Sequence, residues 1–126
     1  MKEVFAVIRM NMMNQTKRAL ADAGIYSMSA RDALGRGKGI VDLELLRGAE
    51  KGYEEAISQL GQSGRLIPKR VLMITVPNDL VEKTVTTIIR TNQTKKSGDG
   101  VIWITPVTDA VRVRTGESGD EVLDGV

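Results

Sequence analysis

The order of its apolar segments constrains the fold of this chain more than any other feature of its sequence. Short runs rich in aliphatic and β-branched residues predict four strands, at Val4–Ile8, Met28–Leu34, Arg70–Val76 and Val101–Pro106. Segments with helical spacing follow the first and third runs, and a long connection without a strand pattern separates the two halves. The predicted order is therefore β-α-β, a long loop, and β-α-β.

Start and stop signals bound the two predicted helices. Asn11 is a candidate N-cap of the first helix, Gly24 ends it, and Pro77-Asn78-Asp79 begins the second. Their apolar faces comprise Met12, Ala19, Leu20 and Ala23 in the first helix and Val81, Val85, Ile88 and Ile89 in the second. The order of elements predicts an α+β, ferredoxin-like βαββαβ sandwich, in which both helices cover one face of an antiparallel sheet.

The first and third predicted strands are apolar on both faces. Val71 and Met73 point to one side of the third strand, whereas Leu72 and Ile74 point to the other. A sheet face that carries aliphatic side chains and lacks helices would be a large exposed patch in a monomer. The sequence therefore predicts an oligomer that covers this face.

Composition excludes several classes of function. The 126 residues contain no cysteine and no histidine, which excludes disulfides, thiol chemistry, ordinary zinc sites and His-dependent triads. A net charge of +2 and an aromatic content of 3% do not favour nucleic-acid binding. No apolar run reaches the ~20 residues of a membrane span, and the amino end lacks a secretory pattern. We expect a cytoplasmic protein.

Two basic segments near the carboxyl end predict a phosphate site. The loop from Thr94 to Gly100 combines lysines and hydroxyls with Gly98 and Gly100, whose backbone N–H groups can turn toward an anion. Arg112 and Arg114 would share a face if that segment is extended, and would add two forked donors. A solvated turn followed by an edge strand with surface arginines fits the same spacing.

The long connection at about 36–68 contains one helical pattern. It opens with Gly35-Arg36-Gly37-Lys38-Gly39, and a connection of this length in a small domain is usually functional or disordered. The apolar stripe of its helical pattern comprises Tyr53, Ala56, Ile57 and Leu60. Because glycines flank this short helix on both sides, we expect it to dock on a partner protein. The alternative is that it folds back on its own subunit.

Several segments of the chain resemble one family. In order they are ALADAGIYSM, GRGKG, RGAE, IPK, VPND, TIIRTNQT, SGDG and RVRTGE. With these segments the chain resembles the PII nitrogen-regulatory proteins along nearly its whole length. The resemblance implies a PII-like domain at 1–115, a long effector (T) loop at about 36–68, and a loose, acidic C-terminal tail at 116–126. It also implies a trimer that binds nucleotides in the clefts between subunits.

The resemblance further implies the ligand-binding residues. ATP or ADP, with Mg²⁺, would be bound by Ser29, Gly35, Gly37, Lys38, Thr75, Gly98, Asp99, Gly100, Val101, Arg112 and Arg114. The effector 2-oxoglutarate would be bound by Gly37, Lys38, Gly39 and Lys69. The resemblance implies no catalytic residue and no metal ligand from the protein.

Three positions depart from the family pattern. Val101 stands where most members have a phosphate-binding lysine, a loss of roughly 1.5–3 kcal/mol unless Lys95 or Lys96 replaces it. Gly39 stands where most members have the glutamine that ligates magnesium beside 2-oxoglutarate. Lys51 replaces the tyrosine that enteric-type members uridylylate, so we expect that modification to be absent.

The long loop and the GRGKG opening resemble the nitrogenase-associated branch of the family. Members of that branch act as two related subunits that inhibit nitrogenase when fixed nitrogen is plentiful, and 2-oxoglutarate with ATP relieves the block. The resemblance thus implies a homotrimer, or a heterotrimer or higher assembly with a sibling subunit, bound to a nitrogenase component or another target.

Two other functions are compatible with the sequence. One is a PII regulator of an ammonium transporter or another nitrogen-metabolism enzyme, although a helical insert in the loop would hinder pore plugging. The other is a small nucleotide-using enzyme. Its candidate catalytic groups are only Asp99, Glu44 and Glu50, without an activated nucleophile beside them, so we expect a regulator and not an enzyme.

Overall fold

The elements of the subunit follow the predicted order. The computed structural model describes residues 1–37 and 66–124. The strands are β1 (Lys2–Arg9), β2 (Ser29–Gly35), β3 (Ile67–Val76) and β4 (Val101–Pro106), and the helices are α1 (Met13–Asp22) and α2 (Val81–Asn92). Turns of 3₁₀ helix at Met10–Met12 and Asn78–Leu80 lead into the two helices, and a third lies at Asp120–Val122.

The four strands form one antiparallel sheet in the order β2-β3-β1-β4. The central strand β1 is paired on both sides, so that Phe5 lies opposite Met73 of β3 and Trp103 of β4. This arrangement confirms the predicted ferredoxin-like α+β fold.

The core lies between the sheet and the two helices. Alternate residues of β1 and β3 point toward the helices and are fully buried, because successive side chains of a strand point to opposite faces. The buried core comprises Val4, Ala6, Ile8, Leu20, Ile25, Leu72, Ile74, Val76 and Ile88. Leu20 and Ile88 are the contributions of α1 and α2, and both belong to the predicted helical faces.

A buried polar contact joins the two helices. The Asn92 side-chain amide donates to the Thr16 hydroxyl at 3.1 Å and to the Ile88 carbonyl at 2.9 Å. Thr16 in turn donates to the Met12 carbonyl one turn earlier. Buried polar side chains without partners are costly, so these bonds let polar residues occupy the helix–helix contact.

Two expectations about the helices are corrected. Asn11 does not cap α1: it lies inside the 3₁₀ turn, and the N-cap position is Met12, which makes no side-chain capping bond. Ile89 is 43% exposed and lies at the rim of the predicted apolar face of α2. The stop at Gly24 is confirmed, because its φ of +86° follows directly after the helix.

Two boundaries also differ from the prediction. β3 begins at Ile67, which pairs with Gly35 of β2, so the connection between β2 and β3 ends earlier than 68. The tail is not loose as far as Asp124. A bridge pairs Val111 with Ser118, and a 3₁₀ turn follows it.

No helix among the described residues covers the second face of the sheet, and the centre of this face is apolar. Phe5 and Trp103 stack on it with ring centroids 5.3 Å apart and an interplanar angle of 11°. Trp103 is 44% exposed, and the neighbouring positions in the register are Val7, Val71 and Met73. Within the described part of the chain, neither helix is long and apolar enough to cross a bilayer.

Candidate functional site

The glycine loop after α2 is organised around the carboxylate of Asp99. Its Oδ2 accepts hydrogen bonds from the backbone N–H groups of Thr94, at 2.7 Å, and Lys95, at 2.9 Å. Its Oδ1 accepts from the Thr94 hydroxyl and, at 2.6 Å, from Nη1 of Arg9 at the end of β1. Four donors therefore converge on one side chain. The first N–H groups of the loop bind this internal anion, and not an external one as the sequence suggested.

This donor set keeps Asp99 ionised. The hydrogen bond from the Thr94 hydroxyl lowers the pKa of the carboxyl most, and the Thr94 backbone N–H, Arg9 and Lys95 lower it further. Because the folded-state pKa of Asp99 lies well below the ordinary value of about 3.9, the network stabilises the loop fully at every pH above that ordinary value. The contribution is lost only as the pH falls through the lowered pKa. Such a carboxylate is a poor proton acceptor, which disfavours Asp99 as a catalytic base.

Two cations hold the loop against the sheet. Nη2 of Arg9 donates to the Ser97 carbonyl at 3.1 Å, and Nζ of Lys69 donates to the Gly98 carbonyl at 3.0 Å. Arg9 and Lys69 lie directly opposite each other in the register of β1 and β3. The glycine loop and Lys69, which the resemblance assigns to 2-oxoglutarate, are therefore neighbours at one end of the sheet.

Glycine is required at two positions of this loop. Gly98 and Gly100 have φ values of +98° and +120°, in the region that favours glycine. A Cβ at Gly100 would lie 1.9 Å from the carbonyl oxygen of Val7, because the loop passes directly over β1 before β4 begins. Among the described residues, no atom accepts a hydrogen bond from the N–H groups of Ser97, Gly98 or Asp99. Free N–H groups beside a glycine turn fit a phosphate oxygen.

The same end of the sheet contains other predicted site residues. Gly35 ends β2 opposite Ile67, next to the Ala33–Lys69 pair, and Gly37 follows two residues later. Val101 begins β4 and is 56% exposed. The cations that contact the loop are Arg9 and Lys69. The side chains of Lys95 and Lys96 make no hydrogen bond or ion pair within the described residues, so nothing supports either as the substitute for the missing lysine.

A second group of predicted residues lies toward the other end of the strands. Ser29 begins β2 opposite Met73, and Thr75 is two residues further along β3 on the same face. The Thr75 hydroxyl donates to Glu3 at 3.4 Å. Diagonal neighbours of this kind lie roughly 7–8 Å apart. Ser29 and Thr75 can therefore contact one small ligand together.

Arg112 and Arg114 belong to a turn and not to an extended strand. The N–H of Gly116 donates to the Arg112 carbonyl at 2.7 Å, and the N–H of Arg112 donates to the Glu117 carbonyl at 2.8 Å. The prediction that alternation aligns the two arginines is therefore wrong. The Arg112 guanidinium donates to the Glu117 carboxylate at 3.3 Å, whereas Arg114 is exposed and makes no ion pair with a described residue.

The two groups do not meet within one subunit. The glycine loop (residues 94–100) precedes β4, and the turn that carries Arg112 and Arg114 (the arginine turn, residues 112–116) follows it. The six residues of β4 span about 20 Å. No hydrogen bond or ion pair between described residues joins Arg112 or Arg114 to the loop. The length of β4 therefore separates the two groups within one subunit.

Part of the predicted site lies outside the described residues. This holds for the ligand residues Lys38 and Gly39, for the docking residues Tyr53, Ala56, Ile57 and Leu60, and for Glu44, Glu50 and Lys51. Within the described ranges, no group of three or more acidic side chains is placed to hold a metal ion.

Sequence reasoning missed Arg9 and Glu117. Arg9 is a lone basic residue at the end of an apolar strand, and its partner Asp99 is 90 positions away in the chain. The only signal in the sequence is the sign of its charge. Glu117 lies five residues after Arg112, and a turn in the GES segment would have suggested that pair.

Comparisons with known proteins identify the family of the chain. Residues 1–117 match the family described as Nitrogen regulatory protein P-II. The chain is 39% identical over 125 residues to the "Nitrogen fixation nifHD region GlnB-like protein 2" of Methanobacterium ivanovii, covering 98% of this chain and 99% of the relative. Its identity to the protein of the same name from Methanothermobacter marburgensis is 40%, over 98% and 100%. It is 37% identical over 123 residues to the "Nitrogen regulatory protein P-II 1" of Escherichia coli K12, over 98% and 100%.

The close approach at Gly100 generates a stability prediction. Gly100→Ala should lower the free energy of unfolding by more than the roughly 1–2 kcal/mol of left-handed backbone strain, because the new Cβ must also displace the Val7 carbonyl. Gly116→Ala is the matched control, since its φ is +75° but its Cβ would meet no atom within 4 Å. Denaturant unfolding of both variants measures the difference. Equal losses would contradict the close packing of the loop on β1.

Proposed function

Because the chain belongs to the P-II family of nitrogen regulatory proteins, we propose that it is a trimeric sensor of ATP or ADP and 2-oxoglutarate that controls nitrogen fixation. In this proposal it binds and inhibits a nitrogenase component when fixed nitrogen is plentiful. The observation that carries the target assignment is full-length similarity, at 39% and 40% identity, to two proteins named for the nitrogen fixation nifHD region.

The open face of the sheet supports the trimer. The Phe5–Trp103 stack and the neighbouring Val7 and Met73 form an apolar surface that no helix of the described residues covers, and Val71 is buried among them. Further copies of the subunit would remove this surface from water, at roughly 25 cal/mol for each Å² of apolar area. Val101, which lies opposite Val7, extends the apolar surface along the edge strand β4 and is 56% exposed.

The separation of the two ligand groups supports a nucleotide site between subunits. Gly98, Asp99 and Gly100 of one subunit would contact the phosphates through backbone N–H groups, and Arg112 and Arg114 of the next would neutralise them. Ser29 and Thr75 lie toward the same end of the strands as the arginine turn and would contact the base of the nucleotide. This division would put phosphate-binding donors on both walls of the cleft.

Lys69 and Arg9 support a dicarboxylate effector at the same edge. Both cations donate to carbonyl oxygens of the glycine loop, and a carboxylate is a stronger acceptor than a neutral carbonyl. A bound 2-oxoglutarate would therefore take hydrogen bonds from Lys69 that Gly98 now accepts. Because the loop carries the phosphate-binding N–H groups, binding of the effector and of the nucleotide would be coupled.

The connection between β2 and β3 would transmit the signal. Gly35 and Ile67, at the two ends of this connection, pair with each other near Lys69. Ligands bound at this end of the sheet would therefore lie at the base of the connection. Ligands that favour some loop conformations over others change the fraction able to bind a target. We assign target docking to the predicted helix with Tyr53, Ala56, Ile57 and Leu60, which lies outside the described residues.

The nucleotide site generates one prediction. Arg114→Ala and Arg112→Ala should each weaken ATP binding by about 1.5–3 kcal/mol, because each removes a charge-assisted donor to phosphate. Arg90→Ala on α2 removes the same charge from an exposed position outside the proposed site and should leave binding unchanged. Isothermal titration calorimetry gives the three affinities. Parent-like affinity in both turn variants would exclude these arginines from the site.

The docking helix generates a second prediction. Ile57→Asp places a charge in the predicted apolar stripe and should abolish inhibition of nitrogenase, with trimer mass and ATP affinity as in the parent protein. Ser58→Asp introduces the same charge on the predicted polar side and should preserve inhibition. Nitrogenase assays with purified components, together with light scattering, measure these outcomes.

Three results would contradict the docking assignment or its target. Persistent inhibition by the Ile57→Asp variant would place the docking surface elsewhere. Dissociation of the trimer would show that the helix supports the assembly. If the parent protein does not inhibit nitrogenase but binds an ammonium transporter in a 2-oxoglutarate-dependent manner, the target is the transporter.

A further inference from the structure

The tail is fastened to the segment that precedes β2 by one carboxylate. Oδ2 of Asp124 accepts hydrogen bonds from the backbone N–H groups of Tyr26, at 2.9 Å, and Ser27, at 2.6 Å. Oδ1 accepts from the Ser27 hydroxyl at 3.2 Å. Asp124 is separated in sequence from Tyr26 by 98 residues and from Ser27 by 97, so these contacts fix the path of the tail across the subunit.

The rest of the tail is closed by bonds of its own. The N–H of Gly119 donates to the Ala110 carbonyl and to the Asp109 carboxylate, each at 3.1 Å. These bonds continue the Val111–Ser118 bridge, and the arginine turn forms the tip of this hairpin. The turn is consequently held at both ends, by β4 through Pro106 and by the Asp124 contact.

The segment that Asp124 holds leads directly into the base side of the proposed site. Ser29 lies two residues after Ser27, and between them Met28 packs against the buried core, which includes Ile25. The carboxylate thus ties together two elements that the proposed nucleotide site takes from the same subunit. One is the start of β2, and the other is the arginine turn.

We infer that Asp124 is a positioning residue for nucleotide binding, which fixes the arginine turn relative to Ser29. This inference rests on the proposed function, because it assigns a role at the same nucleotide site. Asp124 touches no ligand in this account. It acts by reducing the conformational freedom of the turn before the ligand binds, so that less ordering remains to oppose binding.

The negative charge of the carboxylate strengthens the contact. Two backbone N–H groups donate to one oxygen and the Ser27 hydroxyl donates to the other, and hydrogen bonds to an ionised acceptor are roughly twice as strong as bonds to a neutral one. Asp124→Asn removes this charge and therefore weakens the contact, with almost no change in side-chain volume. Glu121→Gln is the matched control, because it neutralises an exposed acidic residue of the same tail that makes no hydrogen bond with a described side chain.

The experiment measures hydrogen exchange and ATP affinity in the same full-length variants. Asp124→Asn should speed amide exchange at Tyr26 and Ser27 in the ligand-free protein and weaken ATP binding roughly threefold to tenfold. The unfolding midpoint and the trimer mass should stay within error of the parent values. Glu121→Gln should reproduce the parent protein in all four measurements.

Each other outcome overturns the inference in an identifiable way. Faster exchange with unchanged ATP affinity makes the contact purely structural. Unchanged exchange shows that Asp124 does not hold this segment in solution. If the parent protein itself fails to bind ATP, the proposed function falls and this inference falls with it, whereas normal binding by both proteins removes this inference alone.

Discussion

The ionised carboxylate of Asp99 is the contact on which the candidate site depends. A loop with two glycines at positive φ has little intrinsic preference for one shape, and its conformation must be imposed by specific contacts. Asp99 imposes it by binding two backbone N–H groups and a hydroxyl of its own loop together with Arg9 of β1. The same side chain thereby shapes the loop and docks it on the sheet. The Gly100 backbone can then pass over Val7 at a distance that excludes any Cβ.

The antiparallel sheet separates the predicted ligand-binding groups, so that different groups lie at its two ends. The glycine loop, Lys69 and the start of the effector connection lie together at one end. The arginine turn follows the far end of β4, and Asp124 joins its tail to the segment before Ser29. Under the proposed function, each end supplies part of one phosphate site. The apolar face between the ends supplies a reason for subunits to associate, so assembly and ligand binding would depend on each other.

Much of the fold could be predicted from the sequence, because its signals are local. The bounds of β4 and the stop at Gly24 agree with the structure, since strand periodicity and a positive φ after a helix are properties of neighbouring residues. The apolar open face was also predicted, because alternation along β1 and β3 is enough to show it. The Asn11 cap failed because a 3₁₀ turn enters α1 without a side-chain cap.

The site was harder to predict because its contacts are distant in the chain. The sequence indicated the residues of the glycine loop. It did not indicate that Asp99 itself accepts hydrogen bonds from the first N–H groups of that loop. Arg9 was missed because only the fold brings it to Asp99. The alternation of Arg112 and Arg114 failed because the Gly116–Arg112 bond forms a turn where an extended segment was assumed.

The central claim is that each nucleotide site combines the glycine loop of one subunit with the arginine turn of the next, and mixed trimers test it directly. Asp99→Ala and Arg114→Ala subunits are each expected to form trimers with severely weakened ATP binding. After the two are unfolded together and reassembled at equal amounts, about a quarter of the interfaces should pair an intact loop with an intact turn. Calorimetry should then detect ATP sites of parent affinity in that proportion. A mixture that recovers no high-affinity site, although light scattering and mass spectrometry show mixed trimers, would contradict the account.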